Sequence, residues 1–432
     1  MAEMKEEFIG KIRLDYTYYP GEDFYCDGSV EDELLAIVKN HEKKEFRSII
    51  EERADWPVLY HLSPLRENIV DWMPIEPDAK VLEIGSGCGA ITGCLSRKCG
   101  SLTCVDLSKK RSQINAYKNK ECNNVTIHVG NFKDIEPSLD QDYDYIFLIG
   151  VFEYGQGYIG GNRPYEDFMG IMLKHLKPEG RLAVAIENKY GLKYFAGCRE
   201  DHLGDYFSGI EDYPNGGGVR TFSRNGLIRI LEENQIGKYT FYYPYPDYKF
   251  PTSVYSDEYL PKVGELSTNF RNFDRDRMLL FDEKNAFDGL IKDGMFQEFS
   301  NSFMVVTGPE MNIKYSKFSN DRADQFAIRT DISFDRNAGW YVDKVPMTDE
   351  AQAHVASIST AYELLKERFE GSRIEINRCF PIENALRFEF AGGVSLEEMF
   401  DDLLDRKDEA GFIALFQEYL MMISYKSEIP VS

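Results

Sequence analysis

The sequence predicts an α/β protein, with a doubly wound, mostly parallel sheet followed by a smaller α+β domain. Three observations carry this reading. From Lys80 to Glu187 short apolar runs alternate with helical stretches. The first of those runs passes directly into a glycine-rich loop, VLEIGSGCGA. Around Pro309 the pattern changes to alternating strands grouped about one long helical stretch. Strand–helix alternation builds parallel sheets, because each crossover must carry the chain back to the same end of the sheet.

Residues 1–60 are polar and mixed and read as a helical extension, with SVEDELLAIVKNHEKKEFRSIIEERAD forming one or two amphipathic helices. HLSPLRENIVDWMP marks another helix start. Ser63 is placed to cap it, Pro64 suits the first helical position, and Leu65, Ile69 and Trp72 share a face. KVLEIG, SLTCVD, NVTIHV, DYIFLIG and GRLAVAIE then read as five buried strands, with ITGCLSRKCG, KKRSQINAYKN and YEDFMGIMLKHLK as helices between them. TFSRNGLIRILEENQIG predicts a further helix capped by Ser223, with Leu227, Ile230 and Leu231 inward. KYTFYYPYP and NSFMVVTG predict two more strands, which completes a domain over 61–310.

About 50 residues separate those last two strands, too many for a plain connection. They read as a cap over 255–300 with a helix near 283–293. Leu279, Leu280, Phe281, Phe287, Leu290, Ile291, Phe296 and Phe299 are its packing residues. In 311–432 MNIKYSKFS, DQFAIRTDIS and GWYVDKVP read as antiparallel strands. A long helix follows, then two strands, RIEINRCF and ALRFEFA, and two closing helices.

Composition narrows the function classes. The net charge of −23 falls on both parts, −15 on residues 1–310 and −8 on 311–432. A phosphate-neutralising nucleic-acid binder and a polybasic membrane anchor are both disfavoured. There is no long apolar run and no export signal, so a cytoplasmic location is expected without membrane insertion. The eight cysteines lack the close pairing of a zinc site and read as reduced thiols, and no metal is expected.

The glycine loop carries the chemistry. Gly85, Gly87 and Gly89 follow a buried strand and open a helix, an arrangement that brings backbone N–H groups close to a ligand. Asp106 ends the next strand, 17 residues after Gly89, where a carboxylate can accept hydrogen bonds from both hydroxyls of a ribose.

Together these residues resemble the class I S-adenosylmethionine-dependent methyltransferases, whose fold is Rossmann-like. The resemblance covers about residues 60–250. It implies S-adenosyl-L-methionine as cofactor, with Glu83, Gly85, Ser86, Gly87 and Gly89 around its methionine part, Asp106 on the ribose and Leu107 on the adenine. Asn131 and Phe132 take the place where the family has an acid that recognises the adenine amine, and the Asn131 amide oxygen can accept the same hydrogen bond. NKYGLKYFAG followed by EDH, with FYYPYPDYKFP and FSNSF, is similar to methyltransferases of bacterial surface-polysaccharide synthesis.

An alcohol acceptor needs a base, because its proton must leave. The ends of the fourth and fifth strands supply the candidates. His202 comes first, flanked by Glu200 and Asp201, and the alternative is a solvated loop histidine. Glu153 comes second, and the alternative is a capping carboxylate. Tyr154, Asn188 and Lys189 are the acceptor-binding candidates, and Glu187 lies beside them in sequence.

Residues 311–432 resemble the small lobe of lipopolysaccharide- and aminoglycoside-kinase-like proteins. The resemblance implies Lys344 as a phosphate-binding lysine, with Glu350 and Glu363 as possible partners. No HxD loop and no metal-binding Asp motif follow Gly393, so the lobe is expected to be catalytically incomplete. Three functions follow as expectations. One is an O-methyltransferase of a sugar or glycan precursor. A second is a methyltransferase of another small molecule or protein. A third is a scaffold within a larger polysaccharide-synthesis protein.

Overall fold

The computed structural model describes residues 5–23, 28–216, 218–269 and 275–424. Cys26, part of the cap expected over 255–300 and the end of the expected last helix therefore lie outside the described residues. Two compact units divide the chain, Met1–Ser316 and Lys317–Ser432.

The first unit is built on ten strands. They are β1 (Glu6–Ile9), β2 (Ile12–Asp15), β3 (Lys80–Ile84), β4 (Ser101–Asp106), β5 (Val125–Val129), β6 (Tyr143–Ile149), β7 (Leu176–Glu187), β8 (Tyr239–Tyr245), β9 (Ser253–Ser256) and β10 (Ser302–Thr307). Their order in the sheet is β1-β2-β5-β4-β3-β6-β7-β10-β8-β9. Strands β2 through β7 run parallel along the row, while β10 is antiparallel to both neighbours. The chain winds outward from β3 through β4 to β5, then returns to start β6 on the other side of β3. That reversal is a topological switch point, and in open α/β sheets ligands bind outside the strand carboxyl ends there.

The central strands read as near-continuous apolar runs because both faces are covered. Leu82, Ile84, Ile146, Leu148, Leu182, Val184 and Ile186 share one core with Phe241 and Phe303 from the antiparallel end. Fully burying each such side chain stabilises by about 1.5–3 kcal/mol.

The N-terminus departs from the helical reading. Residues Glu6–Asp15 form a hairpin, and β2 joins the sheet edge parallel to β5 with Ile12 and Leu14 fully buried. Four-residue strands are too short to show a period, and what fixes them is the open edge of β5. Helices Ser29–Asn40, Phe46–Arg53 and Trp56–Leu62 follow. They bury Leu34, Val38, Phe46, Val58 and Leu62 against Cys88 of the glycine loop and Ile114. The helix expected after Ser63 is instead a 3-10 turn, Pro64–Glu67, continued by one helical turn, Asn68–Asp71.

The insertion between β8 and β10 contains β9 and helices Glu283–Lys292 and Phe296–Phe299. Phe287 and Phe296 are buried in the main core, with Leu290, Ile291 and Phe299 packed beside them. Leu279, Leu280 and Phe281 are not packing residues, being 68%, 55% and 43% exposed. The backbone of that stretch is tied down, with Met278 N–H donating to Gly197 O and Leu280 N–H to Ala196 O. The side chains consequently face outward.

Strand β11 (Ile313–Phe318) crosses the boundary between the units in sequence. The second unit contains β12 (Ile328–Asp335), β13 (Gly339–Pro346), β14 (Cys379–Ile382) and β15 (Ala385–Glu389). They pair antiparallel in the order β12-β13-β15-β14. Helix Gln352–Arg368 packs on them through Val355, which meets Ile328, Cys379 and Leu386. Lys344 lies in β13 and donates to Thr330 Oγ1 at 2.7 Å. Glu363 pairs with Lys366 on its own helix rather than with Lys344. Burial and the nearby Arg322 and Lys317 charges lower the Lys344 pKa.

Candidate active site

A cavity of about 600 Å³ opens at the carboxyl ends of β3, β4 and β6, at the switch point. Its wall includes Glu83, Gly85, Ser86, Gly87, Asp106 and Leu107, with Asn131, Phe132, Val151 and Tyr154 facing from later segments. Trp56, Tyr60, His61 and Arg66, delivered by the N-terminal helices, close another side. Sequence reasoning missed these four, since nothing local links them to the glycine loop.

Asp106 is buried, and both its oxygens meet the loop. Oδ2 accepts from Gly87 N–H at 2.7 Å and Oδ1 from Ser108 N–H at 2.9 Å. An ionised carboxylate offers about four acceptor positions, so two remain for a ligand. Burial raises the Asp106 pKa, opposed by those two backbone donors. Glu83 lies below the loop, where Oε2 accepts from Thr92 Oγ1 at 2.7 Å and binds the helix to the strand. Burial lifts its pKa to about 7.

Gly89 is placed differently from its expected role. It does not line the cavity, and a Cβ there would fall on the Asn115 side chain. This glycine serves close packing of the loop against helix Lys109–Lys118. Asn131 stands at the cavity, where its Oδ1 caps a short helix by accepting from Lys133 N–H at 3.0 Å.

The residues present fit S-adenosyl-L-methionine. A Cβ on Gly85 would come within 2.5 Å of Val151 Cγ2, so only glycine leaves the cradle open there. The Ser86 Oγ is buried without a hydrogen-bond partner among the described residues and sits in the cavity wall, where a ligand can satisfy it. The volume is in the range of cofactor sites.

Beyond Tyr154 lies a second group of residues, at the ends of β6 and β7. Glu153 is 1% exposed and Glu187 0%. His202 Nε2 stands 3.4 Å from Glu187 Oε2 and 3.9 Å from Glu153 Oε1. Its other ring nitrogen, Nδ1, is 3.2 Å from the Tyr154 hydroxyl. Lys249 Nζ pairs with Glu187 Oε1 and, at 2.7 Å, with Asp201 Oδ1. Lys193 bridges Asp201 and Asp247, each at 2.9 Å.

Burial disfavours the imidazolium, but the carboxylates of Glu187, Glu153 and Glu200 outweigh it and lift the His202 pKa to about 9. Burial and the Glu187 charge push Glu153 up to about 8. Burial would also raise Glu187, but Lys249 and His202 hold it well below the usual carboxylate range.

Glu200 hydrogen-bonds the backbone rather than the ring, its Oε2 accepting from His202 N–H at 2.9 Å and Leu203 N–H at 2.6 Å, and reaches the ring only through its charge. Asp201 serves the two lysines.

Two expected acceptor residues are committed elsewhere. Asn188 is buried and satisfied, donating to Glu298 O and Ser300 O and accepting from Tyr190 N–H. It fixes the end of β7. Lys189 pairs with Asp212 at 2.9 Å.

Residues 82–182 match the family model described as a methyltransferase domain. One relative is the ribosomal RNA small subunit methyltransferase A of Malacoplasma penetrans, 32% identical over 113 residues, or 26% of this chain. The chain spans 36% of that relative's length. Among solved structures, a SAM-dependent methyltransferase from Archaeoglobus fulgidus is similar over 62% of this chain and 97% of its own, with 12% identity and a TM-score of 0.33. Phosphoethanolamine N-methyltransferase 1 of Haemonchus contortus is similar over 80% and 57%, with 11% identity and a TM-score of 0.35. The strand order and the cavity at its switch point define a Rossmann-like α/β domain. The stretch 82–182 carries a methyltransferase domain.

Proposed function

We propose that the protein methylates a hydroxyl group of a sugar or glycan precursor, using S-adenosyl-L-methionine. The observation that carries this reading is the Glu153–His202 pair, which reaches the cofactor cavity through Tyr154. Bound cofactor supplies an electrophilic methyl group. The chain's part is to hold the acceptor oxygen in line and to take its proton once the Glu153–His202 pair is deprotonated, so turnover should rise with pH toward 9. Asp106 holds the ribose hydroxyls, Ser86 and the Gly85 cradle the methionine part, and Leu107, Asn131 and Phe132 the adenine.

Trp56, Tyr60, Tyr154 and Tyr158 give the cavity wall aromatic faces and hydroxyls suited to a sugar ring. The string likeness noted above supports a place in surface-polysaccharide synthesis.

The 255–300 insertion is the cap of this site. Arg275 donates to Glu200 O at 3.1 Å and Arg277 to Ala196 O at 3.2 Å, so the segment rests on the loop that carries His202. The second unit, kinase-like in its order of elements, is an interaction module.

Calorimetric titration with S-adenosylhomocysteine, followed by a turnover screen of sugar nucleotides, tests the reading. Binding with turnover of a hydroxyl acceptor supports it. Turnover of amines or proteins alone refutes the acceptor class, and absence of binding refutes the whole.

A further inference from the structure

The group beyond Tyr154 has a property that a proton-transfer pair does not require. Both oxygens of Glu153 are buried without a hydrogen-bond partner among the described residues, and Oε2 of Glu187 and Nε2 of His202, 3.4 Å apart, make no well-aligned hydrogen bond. Ligand atoms of these three side chains all lie within 4.8 Å of one another. Leaving a buried polar atom unsatisfied costs about 1–3 kcal/mol, and more for a charged one. A divalent cation that displaced the His202 proton would give the carboxylate oxygens and Nε2 gathered here a common partner.

We propose that Glu153, Glu187 and His202 form a binding site for a divalent first-row transition metal. Two carboxylates and one imidazole match the charge of a divalent ion. The imidazole favours manganese, iron, cobalt or zinc over magnesium or calcium, which prefer all-oxygen shells. Three protein ligands leave positions open for water or an acceptor oxygen, as in catalytic rather than structural sites.

The surroundings are those of a supported ligand set. The Tyr154 hydroxyl sits at the nitrogen of His202 that faces away from the carboxylates, at 3.2 Å. Such a contact fixes which ring nitrogen is offered to a metal. Glu200 holds the His202 backbone through two N–H bonds. Lys249 occupies the other oxygen of Glu187 and is itself balanced by Asp201, which leaves Oε2 turned toward His202. The three ligands come from three separate segments, so no spacing rule on the sequence announces them.

Metal binding is independent of the methyl-transfer reading; only the placing of an acceptor oxygen on the ion rests on it. The experiment uses the full chain, stripped with a chelator, and titrates Mn2+ by calorimetry and electron paramagnetic resonance. Manganese is the probe because it avoids the free thiols. Co2+ absorption then reports the ligand set.

The expected result is one Mn2+ per chain. Affinity should be at least tenfold weaker in both Glu153→Gln and His202→Ala, with S-adenosylhomocysteine affinity unchanged as evidence of folding. If either variant fails to fold, the Co2+ spectrum of the wild-type chain decides, with nitrogen and oxygen ligands supporting the site and sulfur ligands overturning it. No Mn2+ or Co2+ binding by wild type, or binding that survives both substitutions, overturns the proposal. Metal binding without S-adenosylhomocysteine binding would refute the methyl-transfer reading and leave this site standing. Turnover by the metal-free chain would leave the methyl-transfer reading standing and overturn the placing of an acceptor oxygen on the ion.

Discussion

Tyr154 stands between the two halves of the site. Its ring lines the cofactor cavity, and its hydroxyl is 3.2 Å from Nδ1 of His202, a side chain that does not line that cavity. One residue thus touches both the donor space and the buried carboxylates at the ends of β6 and β7. Its position follows from the 3-10 turn Phe152–Tyr154, which Gly150 and Val151 join to β6.

The first prediction concerns Asp106. On the proposed reading Asp106→Ala removes the acceptor for the ribose hydroxyls, and charge-assisted hydrogen bonds contribute about 1.5–3 kcal/mol each. S-adenosylhomocysteine affinity should fall by at least tenfold in calorimetry. Asp106→Asn, which keeps one acceptor oxygen, should lose less. Equal affinity in all three proteins would remove Asp106 from the ribose site.

For the acceptor chemistry, His202→Ala and Glu153→Gln should each slow turnover roughly 10²–10⁴-fold, the usual contribution of a positioned base. Cofactor affinity should stay within a factor of two or so, since neither side chain lines the cavity. A loss of cofactor affinity as large as the loss of turnover would mean that the pair supports the cavity instead.

Gly89 separates packing from binding. Its φ is +74°, and an added methyl group would fall on Asn115. Gly89→Ala should destabilise the chain by about 2–4 kcal/mol, adding overpacking to left-handed strain. Urea denaturation measures this, and a shift under 1 kcal/mol would show that the loop can retreat from helix Lys109–Lys118.

Glu83 gives stability a pH dependence in the cofactor-free protein. Burial raises its pKa to about 7, helped by Asp106 and opposed by Thr92, Cys104 and Lys118. The folded state therefore holds the proton more tightly than the unfolded chain. The stabilisation is complete below the unfolded value near 4.3 and is lost as pH rises toward 7. The loss should be on the order of 3 kcal/mol between pH 4 and 8. Glu83→Gln should flatten that slope in a series of urea midpoints, and an unchanged slope would assign the dependence to another group.

The sequence by itself determined the α/β framework and the glycine loop that follows β3. Strands Lys80–Ile84 and Ser101–Asp106 are apolar runs of strand length, and the glycines after Ile84 state a backbone requirement that is local. The helix over Arg224–Glu233 was equally legible, because its cap Ser223 and the inward Leu227, Ile230 and Leu231 lie within three turns of one another.

Tertiary structure alone decided the rest. The hairpin at Glu6–Asp15 exists because β5 offers an unpaired edge, which no local pattern shows. Asn188 and Lys189, next to Glu187 in sequence, are drawn away by backbone carbonyls near residue 300 and by Asp212. Glu187 itself is held by Lys249, 62 residues later, and by His202, neither of which is its neighbour in sequence. Parallel strands deliver their ends to one side of a sheet, so residues distant in the chain share a buried space. Charges placed there must be balanced by one another, and that balance is a property of the folded molecule rather than of any stretch of its sequence.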